Sequence, residues 1–290
     1  MEHDKLQRFM FEHGEVRGEL VRLTDSWRHV LERRDYPPVI RSLLGEMMAS
    51  AVMLAAMLKF DGTLVMQMQG SGPIRLLVVE CRSDLAIRAT AKHDDCADLA
   101  NLPDLLGKGH FVITLDPADP DQTAYQGIVP LHGNTVAEAL EHYLMQSEQL
   151  PTRIWLAVDE QSSAGMMLQR MPGASSDELW QEALAPAATV KADELLKLDF
   201  MTLLHRLFNE HDTRVFESMP VRFSCTCSRE KVAGMLRMLG PDEVEAALAE
   251  QAEIDVACEF CGQHYLFDAV DAAQLFAAPE SLAEDSKKLH

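Results

Sequence analysis

Along residues 14–32, GEVRGELVRLTDSWRHVLE, Val16, Leu20 and Val21 stand among polar neighbours near a period of two, and Trp27, Val30 and Leu31 follow at helical spacing. The pattern predicts a strand running into a helix. Residues 37–62 open on a proline pair, close on Gly62 and are apolar on nearly every side between, which predicts a buried helix. TLVMQMQGSGPIRLLVVEC sets Gly-Ser-Gly-Pro between two alternating or β-branched runs and reads as a hairpin. DLAIRATAK and GHFVITLDP read as further strands, and residues 125–158 as strand, helix, strand. The expected fold class is α+β, with an N-terminal α/β-layered domain over 1–174 built on antiparallel sheets.

The pattern then changes. Residues 171–212 begin rich in Pro, Gly, Ser and Ala and continue with Leu195, Leu196, Leu198, Met201, Leu204, Leu207 and Phe208 at mainly helical spacing, so a helical linker is expected over 175–220. Its apolar face is expected to pack on the first domain at rest. Asp193, Glu194, Asp199, Glu210 and Asp212 interrupt that face, so the linker is expected to be metastable. In the tail, expected as a third domain over 221–290, Ser228 is a candidate helix N-cap, Gly240 a stop, and Pro241-Asp242 the start of another helix. IDVACEFCGQHYLFD reads as strand, knuckle, strand.

Composition narrows the partners. The 290 residues carry 26 Lys+Arg against 46 Asp+Glu, a net charge of −20, and are 47% hydrophobic. A real core is affordable, whereas a phosphate backbone would be repelled over most of the surface, so neither nucleic acid nor a membrane is an expected partner. Acidic residues near the start stand where a secretory signal needs an apolar run, and no segment is expected to reach the roughly 20 apolar residues of a membrane span. A cytosolic location is expected, where cysteines serve as metal ligands, redox sensors or inert core residues rather than permanent disulfides.

Four of the six cysteines cluster in sequence, as Cys225-Thr-Cys227 and, after thirty intervening residues, Cys258-Glu-Phe-Cys261-Gly262. Four thiolates answer the tetrahedral demand of Zn²⁺, and the second pair is half of a zinc ribbon. The first pair is unusual, because a one-residue spacer is tight both for a metal site and for a disulfide. Structural zinc is the usual use of such a set, and redox sensing is the alternative that the odd pair invites. His264, two residues past Gly262, is an alternative ligand in place of a cysteine, but reads better as a strand residue beside the knuckle. Cys81 and Cys96 have no neighbour at ligand spacing and read as buried or incidental thiols.

The spacing of these cysteines, at the end of an acidic chain, resembles that of the 33 kDa chaperonin family, the redox-regulated heat-shock holdases of bacteria. GEVRGELVRL, residues 43–81, YQGIVPLHGNTVAEALEHYLMQSEQLPTRIWLA and AGMMLQRMPG carry the resemblance through the N-terminal part. It implies an ATP-independent chaperone that is inactive when reduced and zinc-bound through Cys225, Cys227, Cys258 and Cys261. It also implies that oxidation joins Cys258 with Cys261 and then Cys225 with Cys227, that zinc is released, that unfolding client proteins are captured, and that the active form is a homodimer. The resemblance implies no enzyme. Gly70-Ser71-Gly72 lacks the lysine and helix of a phosphate loop, and His132-Gly133-Asn134 reads as a turn before a helix capped by Asn134. A structural zinc protein or zinc-ribbon regulator without switching is the competing reading.

Overall fold

A computed structural model describes residues 4–12, 14–96, 99, 101–173 and 177–276. The chain divides into two compact units, Met1–Cys225 and Thr226–His290. Among the described residues the first unit holds two six-stranded sheets. One is built from β1 (Lys5–Phe11), β2 (Val16–Leu23), β8 (Thr152–Val158), β9 (Ser163–Arg170), β10 (Thr213–Val215) and β11 (Met219–Pro220). The other runs in the order β12 (Arg222–Phe223), β5 (Ala86–His93), β4 (Ile74–Arg82), β3 (Gly62–Gly70), β6 (Gly109–Pro117), β7 (Tyr125–Pro130). All pairings are antiparallel except β12 with β5.

Helix α1 (Asp25–Leu31) follows β2, and its first amides donate to the carboxylate of Asp4, which accepts from Thr24, Asp25 and Ser26. Helix α2 (Pro38–Met57) packs against strands of both sheets, and its apolar side chains join Leu6, Val21 and Leu23 of the first sheet to Leu64, Met66 and Leu77 of the second. A helix without a polar face has no stable place except between two apolar layers. By length and composition α2 does qualify as a membrane span, contrary to the expectation that no segment would, yet 72% of its apolar window is buried inside the protein. α3 (Leu102–Leu106) closes under the β3–β4 hairpin, where a Cβ on Gly70 would stand 2.0 Å from the Leu106 carbonyl oxygen. That glycine is required by the close approach of two backbones. α4 (Val136–Tyr143) is capped by the Thr135 hydroxyl, which accepts from Glu138 N, rather than by Asn134. Asn134, one residue before the cap, instead donates its own backbone N–H to the Glu138 carboxylate.

Of the helical linker expected over 175–220, residues 178–208 form three helices, α5 (Glu178–Ala187), α6 (Ala192–Lys197) and α7 (Phe200–Phe208), and the stretch after Phe208 is not helical. Leu198 is extended, and Asp199 caps the new start by accepting from Thr202 N at 3.0 Å. The three helices cover the outer face of the first sheet, joining Phe9, Phe11, Leu20, Met166 and Leu168 to Trp180, Leu203, Leu204, Leu207 and Phe208. Phe9 can lie flat beneath this layer because its cross-strand partner is Gly18, where a Cβ would stand 2.1 Å from the ring. Burial of each such ring is worth roughly 2 kcal/mol.

One polar device crosses the apolar contact. Arg22, 4% exposed, donates from Nη2 to Leu195 O at 2.7 Å and to Leu198 O, and its guanidinium lies over the Phe200 ring at 5.4 Å. The carbonyls at the C-terminal end of α6 thereby gain a cationic partner. Beyond α7 the chain is extended. β10 and β11 pair with β1 of the first sheet and β12 pairs with β5 of the second, so residues 213–223 form a strap joining the two sheet edges.

The second unit consists of α8 (Arg229–Leu239), α9 (Pro241–Glu250), β13 (Ile254–Ala257), β14 (His264–Phe267) and α10 (Ala269–Phe276). Ser228 caps α8 by accepting from Lys231 N, and Gly240, at φ 95°, ends α8 where α9 begins. Among the described residues its buried core is Ala233, Leu236, Val244, Phe267 and Ala272. A core as small as this described set leaves a unit marginal without an added constraint.

Two predictions follow from buried charge. Glu19, 3% exposed, has an Oε2 with no hydrogen-bond partner among the described residues. Burial pushes its pKa from 4.5 up to about 8, against the pull of Arg17 and Arg8. Between those values the folded state keeps a proton that the unfolded chain has lost, so this group costs about 1.4 kcal/mol of stability per pH unit as pH rises. Glu19→Gln is expected to flatten that slope and raise Tm at alkaline pH, as read by thermal melts across the window. Equal slopes in both proteins would mean that the carboxylate is ionised in the fold. Arg22→Met, which strips the donors from the Leu195 and Leu198 carbonyls, is expected to destabilise α6 and α7 locally by about 1–3 kcal/mol. Amide exchange should accelerate across 192–208 while β2 and β9 keep their protection. Unchanged exchange there would assign the helices to apolar packing alone.

Candidate metal centre

Strand register delivers the first pair of sulfurs. Arg222 pairs with Ala86 and Phe223 with Ile87, and Ser224 N donates to Ile87 O at 3.0 Å. Phe223 stacks on His29 with ring centroids 5.5 Å apart and planes 9° from parallel, and Arg222 forms an ion pair with Asp84. This fixes Cys225 alongside Arg88, the next residue of β5, whose Nη1 donates to Cys225 Sγ at 3.5 Å. Arg88 is itself held by its cross-strand partner Glu80, with Nη2 at 2.6 Å and Nε at 2.7 Å from the same carboxylate oxygen. Burial alone would lower the Arg88 pKa, but Glu80 and Cys225 outweigh it and raise the value above the ordinary one.

The second pair comes from the β13–β14 turn. Cys258 N donates to Gln263 O at 2.9 Å and Gly262 N to Cys258 O at 2.8 Å, with Gly262 at φ 67°, a left-handed turn that favours glycine. Opposite Val256, Tyr265 of β14 donates its hydroxyl to Cys227 Sγ at 3.1 Å, and that bond is the leading cause of a phenol pKa raised to about 12.

The Sγ atoms of Cys225, Cys227, Cys258 and Cys261 all lie within 4.8 Å of one another, with Cys227 and Cys261 3.3 Å apart. Zn–S bonds of about 2.3 Å at tetrahedral angles require sulfurs about 3.8 Å apart, so the group fits a tetrathiolate ion. Four soft sulfur donors select zinc or a similarly thiophilic metal over a hard cation. None of these four cysteines is in a disulfide, and all four are half-buried, within reach of small solutes.

The remaining candidates separate from this group. His264 is an exposed strand residue whose Nδ1 lies 2.8 Å from Asp255, and among the described residues it joins no group that could hold a metal. Cys81 is fully buried in the main core, where burial first and Asp84 second push its pKa up to about 12, and Cys96 is buried as well. Gly70 ends β3, Ser71 and Gly72 lie in the β3–β4 turn, and His132 stacks on His142 with ring centroids 4.3 Å apart. Arg88, Glu80 and Tyr265 were not anticipated. Arg88 lies 137 residues from the sulfur it meets, and no local pattern marks that pairing.

Comparison with known proteins agrees over nearly the whole chain. The family model described as Hsp33 protein matches residues 4–268. The 33 kDa chaperonin of Methylobacillus flagellatus is 51% identical over 277 residues, covering 94% of each chain, and that of Chromobacterium violaceum is 49% identical over 276 residues with the same coverage. The crystal structure of the Thermotoga maritima 33 kDa chaperonin superposes with a TM-score of 0.84 over 94% of this chain and 98% of that one, at 21% identity, which speaks to the fold. With its α+β layers, its C-terminal cysteine cluster and its match from residue 4 to residue 268, the chain belongs to the Hsp33 family of chaperones.

Proposed function

We propose that this chaperone is an ATP-independent holdase whose capture of unfolding proteins is governed by the redox state of Cys225, Cys227, Cys258 and Cys261. The observation that carries the reading is a continuity of chain. Helices α5–α7 cover an apolar sheet face, and the strap that leaves α7 through β10, β11 and β12 runs directly to Cys225. In functional terms the chain is a core over 1–174, a metastable linker over 175–220 and a redox-sensing zinc domain over 221–290.

The four cysteines are the ligands of one Zn²⁺, which when bound keeps their sulfurs as thiolates and adds its binding energy to a unit with a small core. Under oxidative stress Cys258 pairs with Cys261, and Cys225 then pairs with Cys227. Each pair gives two electrons to a peroxide: one S–S bond forms, the O–O bond breaks, and with two protons the oxygens leave as water. A disulfide sulfur lacks the charge that a metal ligand must carry, so oxidation withdraws the constraint on the tail. Loss of order then passes up the strap to α5–α7, short helices that depend on tertiary packing. Phe9, Phe11 and the apolar faces of the helices become available to exposed apolar segments of client chains. The active form is a homodimer acting in the cytoplasm, and the net charge of −20 disfavours nucleic acids and anionic membranes as partners.

Mass spectrometry of reduced protein under native conditions is expected to find one zinc per chain, and peroxide treatment to replace it with two disulfides. Four free thiols in zinc-loaded buffer with no bound metal would remove the site. The switch itself is tested with Cys225→Ser combined with Cys227→Ser, read by light scattering of a thermally unfolding client. The double variant is expected to suppress aggregation after mild heating, or after oxidation of Cys258 and Cys261 alone, with faster amide exchange across 175–225. Inactivity in every condition, with the first unit still folded, would reduce the metal to a structural staple.

A further inference from the structure

Two side chains outside the cysteine set aim donors at its sulfurs, and neither contact follows from ligand spacing. Arg88 reaches Cys225 Sγ at 3.5 Å and Tyr265 reaches Cys227 Sγ at 3.1 Å. We propose that Arg88 and Tyr265 are positioning residues of the metal centre, holding the Cys225 and Cys227 sulfurs by directed hydrogen bonds and thereby setting how tightly this pair keeps metal and how fast it meets oxidant. The inference rests on the metal reading above and adds to it residues that are not themselves ligands.

Arg88 is organised for this task. An exposed arginine samples many rotamers, but this one is mostly shielded, and its Nε and Nη2 are both spent on Glu80 Oε2. With the planar guanidinium held on that side, Nη1 is directed at the sulfur. Its charge is largely matched by Glu80, so what Cys225 receives is an oriented N–H more than an uncompensated cation. The sulfur is presented to that corner by the β12–β5 register, which places Phe223 beside Ile87, one residue before Arg88. Tyr265 offers the neutral counterpart, an O–H on the strand that follows the knuckle.

A tetrathiolate around a divalent cation carries excess negative charge, which such donors disperse, as outer-shell partners do at other metal sites. Removing a donor leaves the sulfur lone pairs higher in energy and more nucleophilic. Metal should then be held less well and oxidised away faster.

The test uses the full chain loaded with Co²⁺ or Zn²⁺. Tyr265→Phe and Arg88→Met are each expected to shift the sulfur-to-cobalt charge-transfer bands to lower energy, to weaken zinc about tenfold in chelator competition, and to speed zinc loss under peroxide. Arg88→Lys, which keeps one donor and loses the fork, should fall between wild type and Arg88→Met. A merely structural role would change thermal stability without moving the charge-transfer bands. Should Arg88→Met fail to fold, Arg88→Lys and Tyr265→Phe decide the matter: unchanged bands and unchanged chelator midpoints in both would overturn the proposal. A wild-type protein without thiolate-to-cobalt bands would instead overturn the metal reading on which it rests.

Discussion

Phe208 of α7 meets Phe9 and Phe11 of β1 at ring separations of 5.7 and 5.1 Å, and around these rings the first sheet buries its outer face beneath α5, α6 and α7. A sheet with both faces apolar needs a layer on each side. α2 supplies the inner layer as a single 20-residue helix packed between the two sheets, so no polar face is required of it. The outer layer is of another kind. It is three short helices joined by extended residues, and α6, six residues long, could not persist in water without the sheet beneath it. Whatever loosens this layer exposes a sheet face already shaped for apolar contact.

The strap carries the chain from that layer to Cys225. Its hydrogen bonds to β1 and β5 are few, and the register that aligns Phe223 with Ile87 also sets Cys225 beside Arg88. Local unfolding usually starts where backbone pairing is short and edge-placed, as in β10, β11 and β12. The position of the sulfur site at the end of such a segment suits a protein whose resting state has to be stable and also releasable.

The six thiols show how environment separates chemistry from packing. Cys81 is enclosed in the main core with its ionisation pushed far above neutral pH, which makes it a small apolar side chain in effect. The four tail cysteines are half-buried, and Cys225 and Cys227 each accept a side-chain donor. Identical functional groups thus divide between inert filler and a cluster open to metal and oxidant.

Much of this was legible in the residues themselves. The run of residues 37–57, apolar on nearly every side, reads as a buried helix, the Gly-Ser-Gly-Pro turn between alternating runs as a hairpin, and C-x-C with C-x-x-C-G as a candidate metal site. These are short-range signals, in which periodicity, turn geometry and ligand spacing lie within a few residues. The break of the linker at Leu198 and Asp199 and the short strands that follow α7 depended on which backbone groups tertiary contacts left to be satisfied, whereas the capping of α4 by Thr135 rather than Asn134 is a local choice between adjacent side chains. The pairings of Arg22 with the end of α6, of Glu80 with Arg88 and of Arg88 with Cys225 were decided by the tertiary structure alone. A hydrogen bond across 137 residues leaves no trace in local composition, because what brings donor to sulfur is the register of one short parallel strand, and register is a property of the folded sheet.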